Sequence, residues 1–193
     1  KIRFYWFNEG EVGGVNCIIS RTGYTGEDGF ELYVSPSDAE MIWRMLFEEG
    51  EEFDISPAGL AARNSLRLEM RYPLYGNDIE ESTTPLEAGL GWIVKLDKGE
   101  DFIGQDVLVE QKAEGVSEKL VGFEMIDPGV VRDGYTAFLE GKPVGDVCSG
   151  GFSPTLNKSI GLLYLPVEKA EPGLSVEIEI RGKRRKAEVV KTP

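Results

Sequence analysis

The spacing of apolar positions changes partway along this chain. Residues 15–20 and 30–34 form short apolar-rich runs bounded by glycine, which predicts two strands joined by a turn. Ala39, Ile42, Trp43 and Leu46 then recur at intervals of three and four, the signature of one helix face. Ser35 and Pro36 stand where an N-cap and a first helical residue belong, and Gly50 where a helix stops. Ser56-Pro57 predicts a second helix by the same logic. Along one of its sides run Ala58, Ala61, Ala62, Ser65 and Leu66, small enough for close approach to a sheet; Arg63 and Arg67, four apart, share another. Thr84-Pro85 predicts a third, short helix, residues 92–96 a strand, and residues 104–112 a helix.

Near Gly115 helical periodicity disappears. Six short strands are predicted beyond it, at residues 120–125, 135–139, 143–148, 160–165, 175–180 and 186–190, separated by turns rich in Gly, Pro, Asn and Asp. Such a series predicts a small antiparallel barrel. The fold class is therefore α+β: an antiparallel α/β region over residues 1–115, and a small all-β barrel domain over residues 119–193.

Composition narrows the function classes. The 193 residues are 41% hydrophobic, enough for an ordinary core, and carry a net charge of −13. Nucleic-acid phosphates demand a basic surface, so nucleic acid is not an expected partner. Histidine is absent, which removes the usual general base, metal ligand and pH switch. Acid–base work would fall to Asp, Glu, Lys, Tyr or Cys, and no metal is expected. Cys17 and Cys148 lack a CxxC partner and read as structural thiols in a reducing compartment. No apolar run approaches the roughly 20 residues of a membrane span, so no membrane partner is expected. The chain opens in an aromatic run (Phe4, Tyr5, Trp6, Phe7) rather than a methionine and polar tail, which reads as a position inside a larger protein.

The candidate chemistry lies around Ser20-Arg21-Thr22-Gly23-Tyr24-Thr25-Gly26-Glu27-Asp28-Gly29-Phe30-Glu31. Three glycines at intervals of three are not the dinucleotide fingerprint, because a strand rather than a helix follows. A tight hairpin loop is the plain alternative. Glu31, entering a strand, is either a charge on an exposed face or a carboxylate able to accept paired hydrogen bonds from a flat, donor-rich heterocycle. Tyr24 would be an aromatic wall beside it. Arg63 is either half of a surface ion pair or a guanidinium facing a ligand acceptor; Arg67 reads as structural. Tyr72 and Tyr75 lie in a Pro-containing loop, Trp92 reads as core, and the basic run over residues 181–186 as a solvated hairpin tip or a surface for an acidic partner.

These motifs also carry a resemblance. The glycine-rich run, together with Gly59-Leu60-Ala61-Ala62-Arg63-Asn64-Ser65-Leu66-Arg67-Leu68-Glu69, Leu74-Tyr75-Gly76-Asn77-Asp78-Ile79, Thr83-Thr84-Pro85-Leu86-Glu87, Asp101-Phe102-Ile103-Gly104-Gln105 and Cys148-Ser149-Gly150-Gly151-Phe152-Ser153-Pro154-Thr155-Leu156, resembles the aminomethyltransferase (T-protein) family of the glycine cleavage system. The likeness covers nearly the whole chain, in order, and corresponds to the later half of that enzyme. It implies a folate-binding α+β region followed by the barrel. The implied reaction transfers a one-carbon unit from an aminomethyl-lipoyl carrier (H) protein to tetrahydrofolate, releasing ammonia. It assigns folate contacts to Glu31, Arg63, Tyr24 and Tyr72. No catalytic residue falls in this chain, because the family's proposed catalytic aspartate belongs to an earlier half, expected to be a partner of this segment. Asn64 stands where the family usually has aspartate, which would weaken any pairing with an arginine. The implied location is cytoplasmic, or the mitochondrial matrix if the source is eukaryotic. Two rivals share the fold: the folate domain of a dimethylglycine/sarcosine-type dehydrogenase, and a non-enzymatic folate-binding iron–sulfur assembly paralogue. The paralogue is expected to carry a cysteine motif near residues 101–105, and Asp-Phe-Ile-Gly-Gln has none.

Overall fold

Strand β1 (Phe7–Val12) pairs antiparallel with β2 (Val15–Ser20) across Gly13-Gly14, and both glycines take positive φ, 58° and 79°. Paired left-handed residues match the twist of a two-residue hairpin, and only glycine adopts them without strain. Strand β3 (Glu31–Tyr33) adds to β2 with Ser20 opposite Glu31. The polar run Asn8-Glu9-Gly10-Glu11 has low strand propensity, so β1 is not legible from pattern; pairing with β2 imposes it.

The computed structural model describes residues 1–99 and 101–193, and these divide into two units, 1–66 and 67–193. In the first unit, helix α1 (Ala39–Gly50) starts three residues later than Ser35-Pro36 predicts. The Ser35 carbonyl instead accepts the Asp38 amide at 2.9 Å, closing a turn, and Asp38 takes the N-cap position. Of the expected apolar face only Ile42 is buried; Trp43 and Leu46 are exposed. Helix α2 (Leu60–Glu69) begins in the first unit and ends in the second, and it too starts after its Ser-Pro pair. Ala58 and Ala61, expected against a sheet, are exposed.

The second unit is organised by a closed barrel. After α3 (Gln105–Glu114), strands β4 (Glu118–Met125), β5 (Thr136–Leu139), β6 (Lys142–Ser153), β7 (Lys158–Pro166), β8 (Ser175–Ile180) and β9 (Lys183–Val190) close in the order β4-β7-β6-β5-β8-β9. Every pairing is antiparallel, and closure removes free edges. Six strands occur where six are predicted. Strand β6 runs five residues past its predicted end, because Gly150 and Gly151 look like a turn but pair with Gly161 and Ile160. Gly161 is required: a Cβ there would stand 2.5 Å from Phe123 and 2.9 Å from the Ser149 carbonyl oxygen. Inward residues Val121, Phe123, Val147, Leu163, Leu165, Val176, Ile178 and Val189 form the core, each such side chain worth about 1.5–3 kcal/mol of burial.

Three local predictions fail: the strand at residues 92–96, Trp92 in the core, and the short helix after Thr84-Pro85. Residues 92–96 form turns rather than a strand, closed by the Ile93 amide on Leu90 and the Val94 amide on Gly91. Trp92, expected in the core, is 71% exposed. After Thr84 a capping box forms: Thr84 N and Oγ1 donate to Glu87 Oε2 at 2.8 and 2.9 Å, and the Glu87 amide donates back to Thr84 Oγ1. The turn goes no further, because Gly89 turns left-handed at φ 72°.

The polar heart of this unit is Arg67, 2% exposed. Its guanidinium donates to Asp78 Oδ2 at 2.7 Å and to Ser149 Oγ at 2.9 Å; Ser149 Oγ and the Leu74 amide donate to the same carboxylate oxygen, each at 2.8 Å. Arg67 is structural, as its sequence reading holds.

Candidate functional site: the glycine-rich loop

Residues 21–30 join β2 to β3, so the hairpin reading of the glycine run is correct in topology, though the loop is ten residues long. The loop is tied to the chain at several points. Arg21 exchanges backbone hydrogen bonds with the opening aromatic run: its amide donates to the Trp6 carbonyl at 2.9 Å, and its carbonyl accepts from the Tyr5 amide at 3.0 Å. Its guanidinium grips Asp28 with two hydrogen bonds, Nε to Oδ1 at 2.8 Å and Nη2 to Oδ2 at 2.5 Å, and donates to the Ile2 carbonyl at 3.1 Å. That bidentate pair holds the Asp28 carboxyl below its usual range and raises Arg21, hydrogen bonding being the main cause. Of the three glycines only Gly26 requires its identity by backbone conformation, at φ 79°. Gly23 and Gly29 face open space, so side chains there would crowd nothing in the chain, although they would fill room beside the loop.

Glu31 stands at the foot of the loop, exposed, opposite Ser20 in the strand register. Thr22 Oγ1 donates a short hydrogen bond to Glu31 Oε2. Because the Thr22 proton is committed there, the 2.8 Å contact between Ser20 Oγ and Thr22 Oγ1 has Ser20 as donor. The chain Ser20–Thr22–Glu31 therefore aims one carboxylate oxygen. The other, Oε1, accepts from no donor among the described residues, and Oε2 keeps a second lone pair. A carboxylate oriented in this way can still take two parallel N–H donors from a planar ligand edge.

Tyr24 and Arg63 meet. The Arg63 guanidinium carbon lies 4.5 Å from the Tyr24 ring centroid, a cation–π contact between the loop and α2. Arg63 is exposed and Tyr24 half-buried, so the ring is steadied while the N–H edge of the guanidinium remains available. Three of the four expected ligand residues, Glu31, Tyr24 and Arg63, thus belong to the first unit. The loop carries the contact partners of two of them, Thr22 and Tyr24. Tyr72 belongs to the second unit, half-buried, where its amide donates to the Arg67 carbonyl at 2.8 Å and its own carbonyl accepts from Arg67 Nη1 at 3.3 Å. Thr22, Ser20 and the Arg21–Asp28 clamp escape sequence reasoning. Their neighbours in sequence are legible, but contacts across a ten-residue loop depend on how it closes.

Neither cysteine is poised for chemistry. Cys17 is buried. Burial first, and the nearby Asp78 carboxylate second, push the Cys148 thiol up to about 12, so it is protonated and a poor nucleophile at neutral pH. Among the described residues no three His, Cys, Asp or Glu side chains cluster as metal ligands, and no helix is long and apolar enough to cross a membrane.

Residues 1–98 match the family model described as the GCVT N-terminal domain, and residues 118–193 the glycine cleavage T-protein C-terminal barrel domain. An aminomethyltransferase of Desulfitobacterium hafniense (strain DSM 10664 / DCB-2) is 52% identical over 190 residues, covering 98% of this chain and 52% of that protein. One from Symbiobacterium thermophilum is 53% identical over 183 residues, covering 94% of this chain and 49% of that protein. The crystal structure of glycine cleavage system aminomethyltransferase T from Bartonella henselae superposes with a TM-score of 0.91 at 34% identity, covering all of this chain and 53% of that one. The chain spans about half the length of the curated relatives it matches. The closed barrel of strands β4–β9 lies within the residues matched to the barrel domain, the antiparallel sheet and its glycine-rich loop within those matched to the N-terminal domain, and the chain belongs to the glycine cleavage T-protein family.

Proposed function

We propose that this chain is the folate-holding segment and barrel of an aminomethyltransferase of the glycine cleavage system. The reaction would move the one-carbon unit of an aminomethyl group, carried on the lipoyl arm of an H protein, to tetrahydrofolate. The products would be methylene-tetrahydrofolate, ammonia and the reduced lipoyl arm. The observation that carries the reading is the Glu31 carboxylate, aimed by Ser20 and Thr22 with Oε1 open, at the foot of the loop whose Tyr24 supports Arg63. A pterin ring offers an exocyclic amine beside a ring N–H, and a carboxylate accepts both with charge assistance. Arg63 would supply a donor to a folate acceptor, Tyr24 an aromatic wall, and Tyr72 a further contact. The protein's contribution is to hold the acceptor nitrogen near the aminomethyl carbon, where positioning supplies most of the acceleration. We assign no catalytic residue to this segment: Asp28 is held by Arg21 and Glu31 by Thr22. We further propose that the acid–base group comes from a partner segment corresponding to the earlier half of the family's enzymes.

The test is titration calorimetry of the 193-residue chain with tetrahydrofolate. Glu31→Ala is expected to weaken binding by about 1.5–3 kcal/mol, the range for hydrogen bonds to a charged group. Thr22→Ala, which removes only the aiming bond, should lose less. Unchanged affinity in Glu31→Ala would overturn the assignment. Turnover of aminomethyl-loaded carrier protein by this chain alone would overturn the absence of a catalytic group and direct attention to Glu27.

A further inference from the structure

One end of the barrel carries a site that the folate reading does not use. Strands β8 and β9 pair Val176 with Ala187, Ile178 with Arg185 and Ile180 with Lys183. Val176, Ala187 and Ile178 are fully buried in the core. Side chains alternate along a strand with a period of two, so Arg185 and Lys183 stand on the inward side, where the core gives out towards the hairpin tip. Arg184, between them, faces outward: its guanidinium lies 3.9 Å from the Phe138 ring centroid and 4.0 Å from Glu177 Oε2. The basic run that reads as a solvated tip is therefore split by register into an outward half and an inward half.

A cavity of about 570 Å³ opens there, lined by Arg132, Tyr135, Ile180, Arg181, Lys183, Arg185 and residues 128–130. Four of these side chains are cationic and none is acidic. Among the described residues none of the four forms an ion pair. In a chain of net charge −13 this is a local reversal of sign, and unpaired like charges round one concavity repel until an anion joins them. Asp127 and Asp133, acids of the neighbouring loop, are not part of the lining, and Asp127 accepts the Lys186 amide at 2.9 Å. The cradle is fixed in advance. The Ile126 amide donates to the Lys186 carbonyl at 2.9 Å, the Val131 amide to Ser159 Oγ at 2.9 Å, and the Gly134 amide to the Val147 carbonyl at 2.8 Å.

We propose that this barrel mouth binds a small polyanion, a molecule with two or more phosphate or carboxylate groups beside an apolar part that meets Tyr135 and Ile180. Guanidinium forks match both kinds of oxyanion. A concave site of this volume, in a barrel mouth, suits a small molecule rather than a flat protein surface. Nothing in it depends on the folate reading.

Calorimetric titration of the chain with pyrophosphate, with citrate and with a polyglutamate peptide tests it. At least one small anion should bind with a Kd below about 1 mM, more weakly as salt rises. Arg185→Gln and Arg132→Gln should each weaken it about tenfold. The charge-matched Arg184→Gln should change it by less than about twofold, as diffuse screening alone would. Melting curves like the parent's show that the variants fold. Binding of pyrophosphate over citrate assigns a phosphorylated ligand, and the reverse a polycarboxylate. The proposal is overturned if neither small anion binds, if Arg184→Gln loses as much as Arg185→Gln, or if only the peptide binds, which would make the patch a docking face for an acidic protein.

Discussion

The two units treat their apolar side chains in opposite ways. In the barrel, Leu163, Leu165 and Ile178 are 0% exposed and Phe123 1%. In the first unit only Val15, Cys17 and Ile42 are buried apolar residues, while Phe4, Tyr5, Trp6, Phe7, Phe30 and Trp43 stay between 56% and 64% exposed. What orders the first unit's loop is polar: the Arg21–Asp28 clamp, the Ser20–Thr22–Glu31 chain and the Arg63–Tyr24 contact. The barrel is a scaffold whose stability is stored in its own core. The candidate site rests on a sheet with few buried apolar side chains, and Glu31 and Arg63, which would meet a ligand, are themselves exposed.

The largest expected effect contrasts the two arginines of α2. Arg67→Ala strands Asp78 as a buried, unpaired charge and should cost about 3–5 kcal/mol, read from urea unfolding. Arg63→Ala removes an exposed cation–π contact and should cost about 0.5–1 kcal/mol. Equal losses would break the division between a structural and a ligand-facing arginine.

The core contrast comes next. Leu163→Ala should destabilise by about 2–5 kcal/mol through the cavity it leaves. Trp43→Ala, half-exposed on α1, should cost less than Leu163→Ala although it removes more atoms. A larger loss at Trp43 would show that the first unit has a core of its own beyond Ile42.

Alkaline pH sharpens the comparison further, because the groups displaced upward by burial belong to the barrel unit. Cys148, pushed up to about 12 from an ordinary 9.0, and Tyr164, raised mainly by burial, keep their protons in the folded chain and lose them earlier in the unfolded one. The contribution of these two groups should be constant below about pH 9 and fall as pH rises towards 12, by at most about 1.4 kcal/mol per pH unit for one group. Cys148→Ser should flatten part of that fall in urea midpoints measured across pH. An unchanged slope would remove Cys148 as a cause.

The smallest effect is at the surface. Glu40→Gln breaks the 2.6 Å ion pair with Arg44 on α1 and should cost about 0.3–0.5 kcal/mol, vanishing at high salt. A larger loss would mean that α1 depends on its surface charges more than on Ile42.

Sequence alone determined the class of each half. The six barrel strands, the helix near residues 104–112 and the hairpin around the glycine run follow from periods of two and 3.6 and from turn residues, which are local properties. The candidate site was legible to the extent that motifs are contiguous: Tyr24 and Glu31 frame one loop, and Arg63 sits at a readable helix position. Tertiary structure decided the rest. It drew the polar run 7–12 into a strand, left the apolar run 92–96 without a strand partner, and separated the Ser-Pro pairs from the helices they precede. It sent Arg67 into a buried pair with Asp78 and Ser149, residues 11 and 82 positions away, while Arg63, one turn earlier, stayed outside. It also turned a basic hairpin tip into an inward-facing cationic cavity. The physical reason is the same each time: pattern reports which side chains prefer burial or water, but a partner distant in sequence, and the register in which it arrives, decides which of them obtain it.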